Sequence, residues 1–143
     1  MLIIDDANLL AVLADIEPAD VRSAVDSGEV LTTGSWYWRL ARAIRETGTT
    51  GALTRAYEAL APDQRDRVDR SLELLPSQIG LFSSRRLVPI MTALVTPRRV
   101  NFLTAEALAT ALLTDATIVV GSDSHLMNEA ADSLGLTVRR SGP

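Results

Sequence analysis

The most constraining feature of this chain is a short apolar run, Met1-Leu2-Ile3-Ile4, that leads straight into Asp5-Asp6. Apolar residues at helical spacing follow at Leu9, Leu10, Val12 and Leu13. A continuous apolar run this short reads as a strand buried on both faces, the usual condition of a parallel sheet. In such sheets ligands bind outside the carboxyl ends of the strands, where Asp5, Asp6 and Asn8 fall. Asp is also a preferred helix N-cap, so capping alone accounts for one of the two acids.

A second run of the same kind lies near the other end. Residues 117–120 (Thr-Ile-Val-Val) form a buried strand that ends at Gly121-Ser122-Asp123. Between the two strands the chain alternates. Helices are expected over 8–16 and from Pro18 to about Ser27, closed by Gly28. A short strand is expected at 30–33, then a strong helix over 36–46 with Trp36, Leu40, Ala43 and Ile44 on one face. Arg39, Arg42 and Glu46 share another face. A turn at 48–51 leads to an αα-hairpin over 52–75, broken at Pro62. Its charged residues, Arg65, Asp66, Asp69, Arg70 and Glu73, read as a solvated face.

The rest continues the pattern. A weak strand at 78–82 precedes helical spacing over 87–95, with Pro89 obscuring its start and Pro97 marking its end. An Ala/Leu helix over 104–113 carries one acid, Glu106. A helix over 124–134 closes at Gly135, and residues 136–138 form a final edge strand. This β-α alternation predicts one α/β domain over 1–143, with helices on both faces of a mostly parallel sheet of about five strands.

Composition narrows the function. All 14 basic residues are arginine, and the absence of lysine excludes a P-loop and a Schiff-base enzyme. There is no cysteine and a single histidine, His125, so thiolate and multi-histidine metal sites are excluded. The net charge of −4 argues against a broad nucleic-acid surface, though not against a basic patch beside an acidic, metal-loaded cleft. No apolar run approaches the ~18 residues of a membrane span, and no basic segment precedes Leu2 as a signal peptide requires. The expectation is a cytoplasmic protein without a membrane partner.

One acid stands at each of three junctions: Asp6, Glu106 and Asp123. Each has a structural explanation, since Asp6 and Asp123 suit N-caps and Glu106 suits the start of its own helix. If the first and fourth strands are neighbours, Asp6 and Asp123 share one crevice. Carboxylates gathered there repel unless Mg²⁺ or Mn²⁺ lies between them. Such a metal is one means of activating water for phosphodiester cleavage.

These residues resemble a known family. Asp6-Ala7-Asn8-Leu9-Leu10 is similar to the opening Asp-x-(Asn/Ser)-x-Leu of PIN domains, the family of VapC-like toxin ribonucleases. Residues 116–123 resemble its apolar strand leading to Thr-x-Asp. Glu106-Ala107-Leu108-Ala109 resembles its Asp-Ala-Leu-Ile-Ala, 17 residues before Asp123. The resemblance implies a three-layer α/β/α fold and a metal-dependent endoribonuclease using Asp6, Glu106 and Asp123 with Mg or Mn. It also implies Asn8 and Ser122 orienting ligands or phosphate, RNA as substrate, an antitoxin-like protein partner and a homodimer.

One departure bears on all of this. The family carries a glutamate in the helix after strand two, and the alignment through Thr32-Thr33-Gly34-Ser35 places Arg39 there. No other acid lies between Glu29 and Glu46. A guanidinium cannot ligate a metal, but it can pair with Asp6 or Asp123 and replace the ion electrostatically. Two readings follow: a metal-dependent ribonuclease with an incomplete acidic quartet, or a catalytically impaired PIN-like module that binds RNA or protein. Asp5-Asp6 also resembles a phosphorylation receiver domain. That reading fails, because residues 48–60 hold no Asp and the chain has no Lys.

Three surface features complete the reading. Trp36-Tyr37-Trp38 holds half of the six aromatics, with Trp36 expected in the core and the others suited to an interface, to base stacking or to packing on the 52–75 hairpin. His125 is expected on a helix surface. Arg85-Arg86 and Arg98-Arg99 are either phosphate contacts or simply solvated.

Overall fold

The computed structural model describes residues 1–46, 48 and 50–142. Five strands form one all-parallel sheet: β1 (Leu2–Ile4), β2 (Val30–Leu31), β3 (Ile79–Gly80), β4 (Thr117–Val120) and β5 (Val138–Arg140), in the order β3-β2-β1-β4-β5. β1 is central. It pairs with β2 on one side and β4 on the other, Ile4 opposite Val119, so the chain direction across the sheet reverses at β1. That reversal opens the crevice where ligands of open α/β sheets bind.

The alternation of side chains along each strand builds two cores. Ile3, Leu31, Ile118 and Val120 face α6 (Ser84–Val95), α7 (Phe102–Thr114) and α8 (His125–Ser133). Ile4, Val30, Ile79 and Val119 face α1 (Asp6–Leu13), α2 (Ala19–Asp26), α3 (Gly34–Arg45) and α5 (Pro62–Glu73). The expected three-layer α/β/α fold is therefore present. α4 (Ala52–Glu58) and α5 are consecutive helices linked by Tyr57 Oη donating to Asp69 Oδ1 at 2.8 Å, with Pro62 at the first turn of α5, where its missing N–H costs nothing. The turn expected at 48–51 includes Thr49, which lies outside the described residues.

Several element boundaries differ from expectation, α6 and the final strand among them. α6 begins at Ser84, upstream of Pro89, so the proline sits inside the helix. The final strand is 138–140 rather than 136–138. The Leu136 N–H is already spent on Ala131 O, closing α8, so ladder pairing starts later, with Val138 opposite Ile118. Among the described residues no helix is long and apolar enough to cross a membrane.

Candidate functional site

The two acids after β1 take different roles. Asp5 is the N-cap of α1: its Oδ1 accepts from Asn8 N at 3.0 Å and from Asn8 Nδ2 at 2.8 Å. Its Oδ2 accepts from Gly121 N at 2.7 Å, so one carboxylate ties the end of β1 to the end of β4. Burial pushes the Asp5 carboxyl above the ordinary range, against the hydrogen bonds from Gly121 and Asn8 that favour its charged form. Asn8 is buried and its amide is committed to Asp5 and to Val119 O.

With the cap assigned to Asp5, Asp6 turns to the cleft. It is buried, and its Oδ2 accepts a charge-assisted hydrogen bond from Arg39 Nε. Arg39 lies on the second turn of α3. That helix starts at the end of β2 because Thr33 caps it, accepting from Trp36 N at 3.2 Å. The adjacent Thr32 Oγ1 donates to Ile4 O at 2.8 Å, which holds the β2 end against the β1 end.

Glu106 reaches the same region from the opposite layer. It is buried on α7 and its Oε1 accepts from Ser35 N at 3.0 Å, in the first turn of α3. The helix whose positive end it complements is thus α3 rather than its own. Asp123 lies beyond β4 with its side chain 59% exposed, and its Oδ2 is 3.8 Å from Arg140 Nη1. Ser122 is exposed. Among the described residues no group of three or more His, Asp or Glu side chains is placed to hold one metal ion.

Beside Arg39 and Glu106 a groove of about 560 Å³ opens between α3, α6 and α7. Ser35, Arg39 and Glu106 form its polar end, and the remainder is largely apolar. Sequence reasoning found Trp38 but missed Phe82 and Phe102 in this lining; Phe82 reads as part of a strand, and Phe102 lies upstream of the helix as expected. The usable signal was their position at the starts of two helices that pack together. His125 is at the surface, 3.8 Å from Glu129. Trp36 is in the core, as expected.

Comparison with known proteins yields no matching family model and no matching curated protein.

Proposed function

We propose that this chain is a PIN-like protein whose cleft has exchanged a metal ligand for an internal ion pair, and that it acts by binding a partner rather than by metal-dependent cleavage of RNA. One observation carries this reading: the Arg39 guanidinium is paired with buried Asp6, at the position where the resemblance implies a glutamate. The pair supplies Asp6 with the compensating charge that a divalent ion would otherwise bring. The other two acids of the implied set are also engaged, Glu106 with Ser35 N–H and Asp123 beside Arg140. With Asp6, Glu106 and Asp123 engaged separately, the residues present do not fit a Mg or Mn centre.

Electrostatics gives the size of the effect. For a divalent ion about 5 Å from a guanidinium, at an effective dielectric of about 20, repulsion is on the order of several kcal/mol. Solvent reduces that figure, because the Arg39 side chain is 48% exposed. Even about 3 kcal/mol corresponds to roughly a hundredfold in affinity, enough to move a micromolar site out of use.

The test is a Mn²⁺ titration followed calorimetrically, run beside an RNA cleavage assay. Wild-type protein is expected to bind Mn²⁺ weakly and to cleave little, and Arg39→Glu to bind at least tenfold more tightly. Strong Mn²⁺-dependent cleavage by the wild type, abolished by Asp6→Ala, would overturn the reading and establish the ribonuclease, with Asp6, Glu106 and Asp123 as its ligands. Unchanged metal affinity in Arg39→Glu would mean that the ion pair is not what blocks the site.

A further inference from the structure

The groove beside the ion pair has a volume of about 560 Å³, within the usual range of ligand sites, roughly 300–1,000 Å³. Its surface is unusual for a free protein. Trp38 and Phe102 line it and are each 62% exposed, and Val88 on α6 is 49% exposed. Leu87, Met91 and Leu103 lie among the remaining lining residues. Large apolar side chains concentrated around one groove mark a binding surface rather than scattered surface hydrophobes.

The charges at the groove are asymmetric. Its one lining acid, Glu106, is buried and already accepts from Ser35 N–H. Arg39 is neutralised by Asp6, and Arg42 is paired with Glu46 while stacking over Trp38. Arg86 lies over the Phe82 ring at 5.0 Å, and neither it nor Arg85 has an acidic partner among the described residues. Arg85 is three residues before Val88 on α6, so both unpaired arginines flank the groove. Two cations in the first turn also oppose the macrodipole of α6, which has no acid there to offset them.

We propose that the groove docks an amphipathic helix of another protein, with its apolar face against Trp38, Phe102 and Val88 and acidic residues against Arg85 and Arg86. This deepens the binding reading above and rests on it. The groove is lined by α3, α6, α7 and Phe82 and contains no strand edge, so an extended peptide finds no ladder to pair with there. A helix arrives with its own backbone satisfied and needs only side-chain anchors. Single-stranded RNA fits less well, since only two unpaired cations flank the groove and the protein is net negative.

The test uses the whole chain and fluorescein-labelled probes read by anisotropy. The first probe is a helical peptide of about 18 residues with Leu on one face and Glu on its flanks. The second carries Lys in place of Glu, and the third is an oligouridylate of about twelve nucleotides. The acidic peptide is expected to bind in the micromolar range and the basic one at least tenfold more weakly. Phe102→Ala should weaken the acidic peptide about tenfold. The double variant Arg85→Glu/Arg86→Glu, at exposed positions, should reverse the preference between the peptides, which a merely sticky apolar patch would not do.

Equal affinity for both peptides, tighter binding of the oligouridylate, or a dimer that buries Trp38 in sedimentation and fluorescence would each overturn the proposal. Failure of the peptide arm alone, with the wild type still inactive towards RNA, removes this partner and leaves the binding reading standing. Mn²⁺-dependent cleavage removes that reading whatever the peptides do.

Discussion

Asp5 and Asp6 are adjacent, chemically identical and both buried, yet one is a structural clasp and the other faces a cation. Asp5→Ala removes an N-cap and leaves the Gly121 N–H without its acceptor. The expected cost is about 2–4 kcal/mol, measured by urea denaturation. The same carboxylate sets a pH dependence. Burial raises its pKa above 3.8 in the folded state, so the folded protein holds this proton more tightly than the unfolded chain does. The contribution of this group to stability is therefore greatest on the acid side, and it falls as pH rises from 3.8 through the folded value. Asp5→Asn cannot titrate. The unfolding free energy of the wild type minus that of Asp5→Asn should fall as pH rises through that window, and a rise would contradict the burial account.

Among the elements, the close approach of the end of β4 to α1 constrains the cleft. A Cβ placed on Gly121 would lie 2.8 Å from the Ala7 Cβ and 3.7 Å from Asp5 Oδ2. Gly121→Ala must push α1 and β4 apart at the point where the Asp5 clasp closes, and a destabilisation of about 1–3 kcal/mol is expected. Ala7→Gly relieves the clash at a helix-propensity cost of about 1 kcal/mol. The pair should then be less destabilised than the sum of the two single variants, and strict additivity in a double-mutant cycle would show that the approach is not sterically limited.

For the molecule as a whole, α3 is the element that couples the layers. Trp36 belongs to the core under α6, α7 and α8, whereas Leu40, one turn later, belongs to the core under α1, α2 and α5. Losing one core therefore loosens α3 and with it the other. Unfolding is expected to be one cooperative transition. In Trp38→Phe the buried Trp36 is the only tryptophan left, and its fluorescence should change at the same urea concentration as the far-ultraviolet circular dichroism. Separated midpoints would mean that the two cores unfold independently.

Much of the architecture could be read from local pattern. The apolar runs at 1–4 and 117–120 specify buried strands, and the 3.6-residue spacing between them specifies helices, because burying a strand or one face of a helix needs only the right residue types at the right period. The pairing of Arg39 with Asp6 or Asp123 was an expectation of the family resemblance and not of any local pattern, and the folded chain selects Asp6. Other features depend on contacts between residues far apart in the chain. The choice of Asp5 rather than Asp6 as the cap rests on Gly121, 116 residues away. Glu106 meets the start of α3 across 71 residues, and the groove exists only because α3, α6 and α7 converge there. Side-chain period determines which face an element buries. Which acid meets which donor is decided by the order of strands in the sheet, and that order is a property of the folded chain rather than of any segment within it.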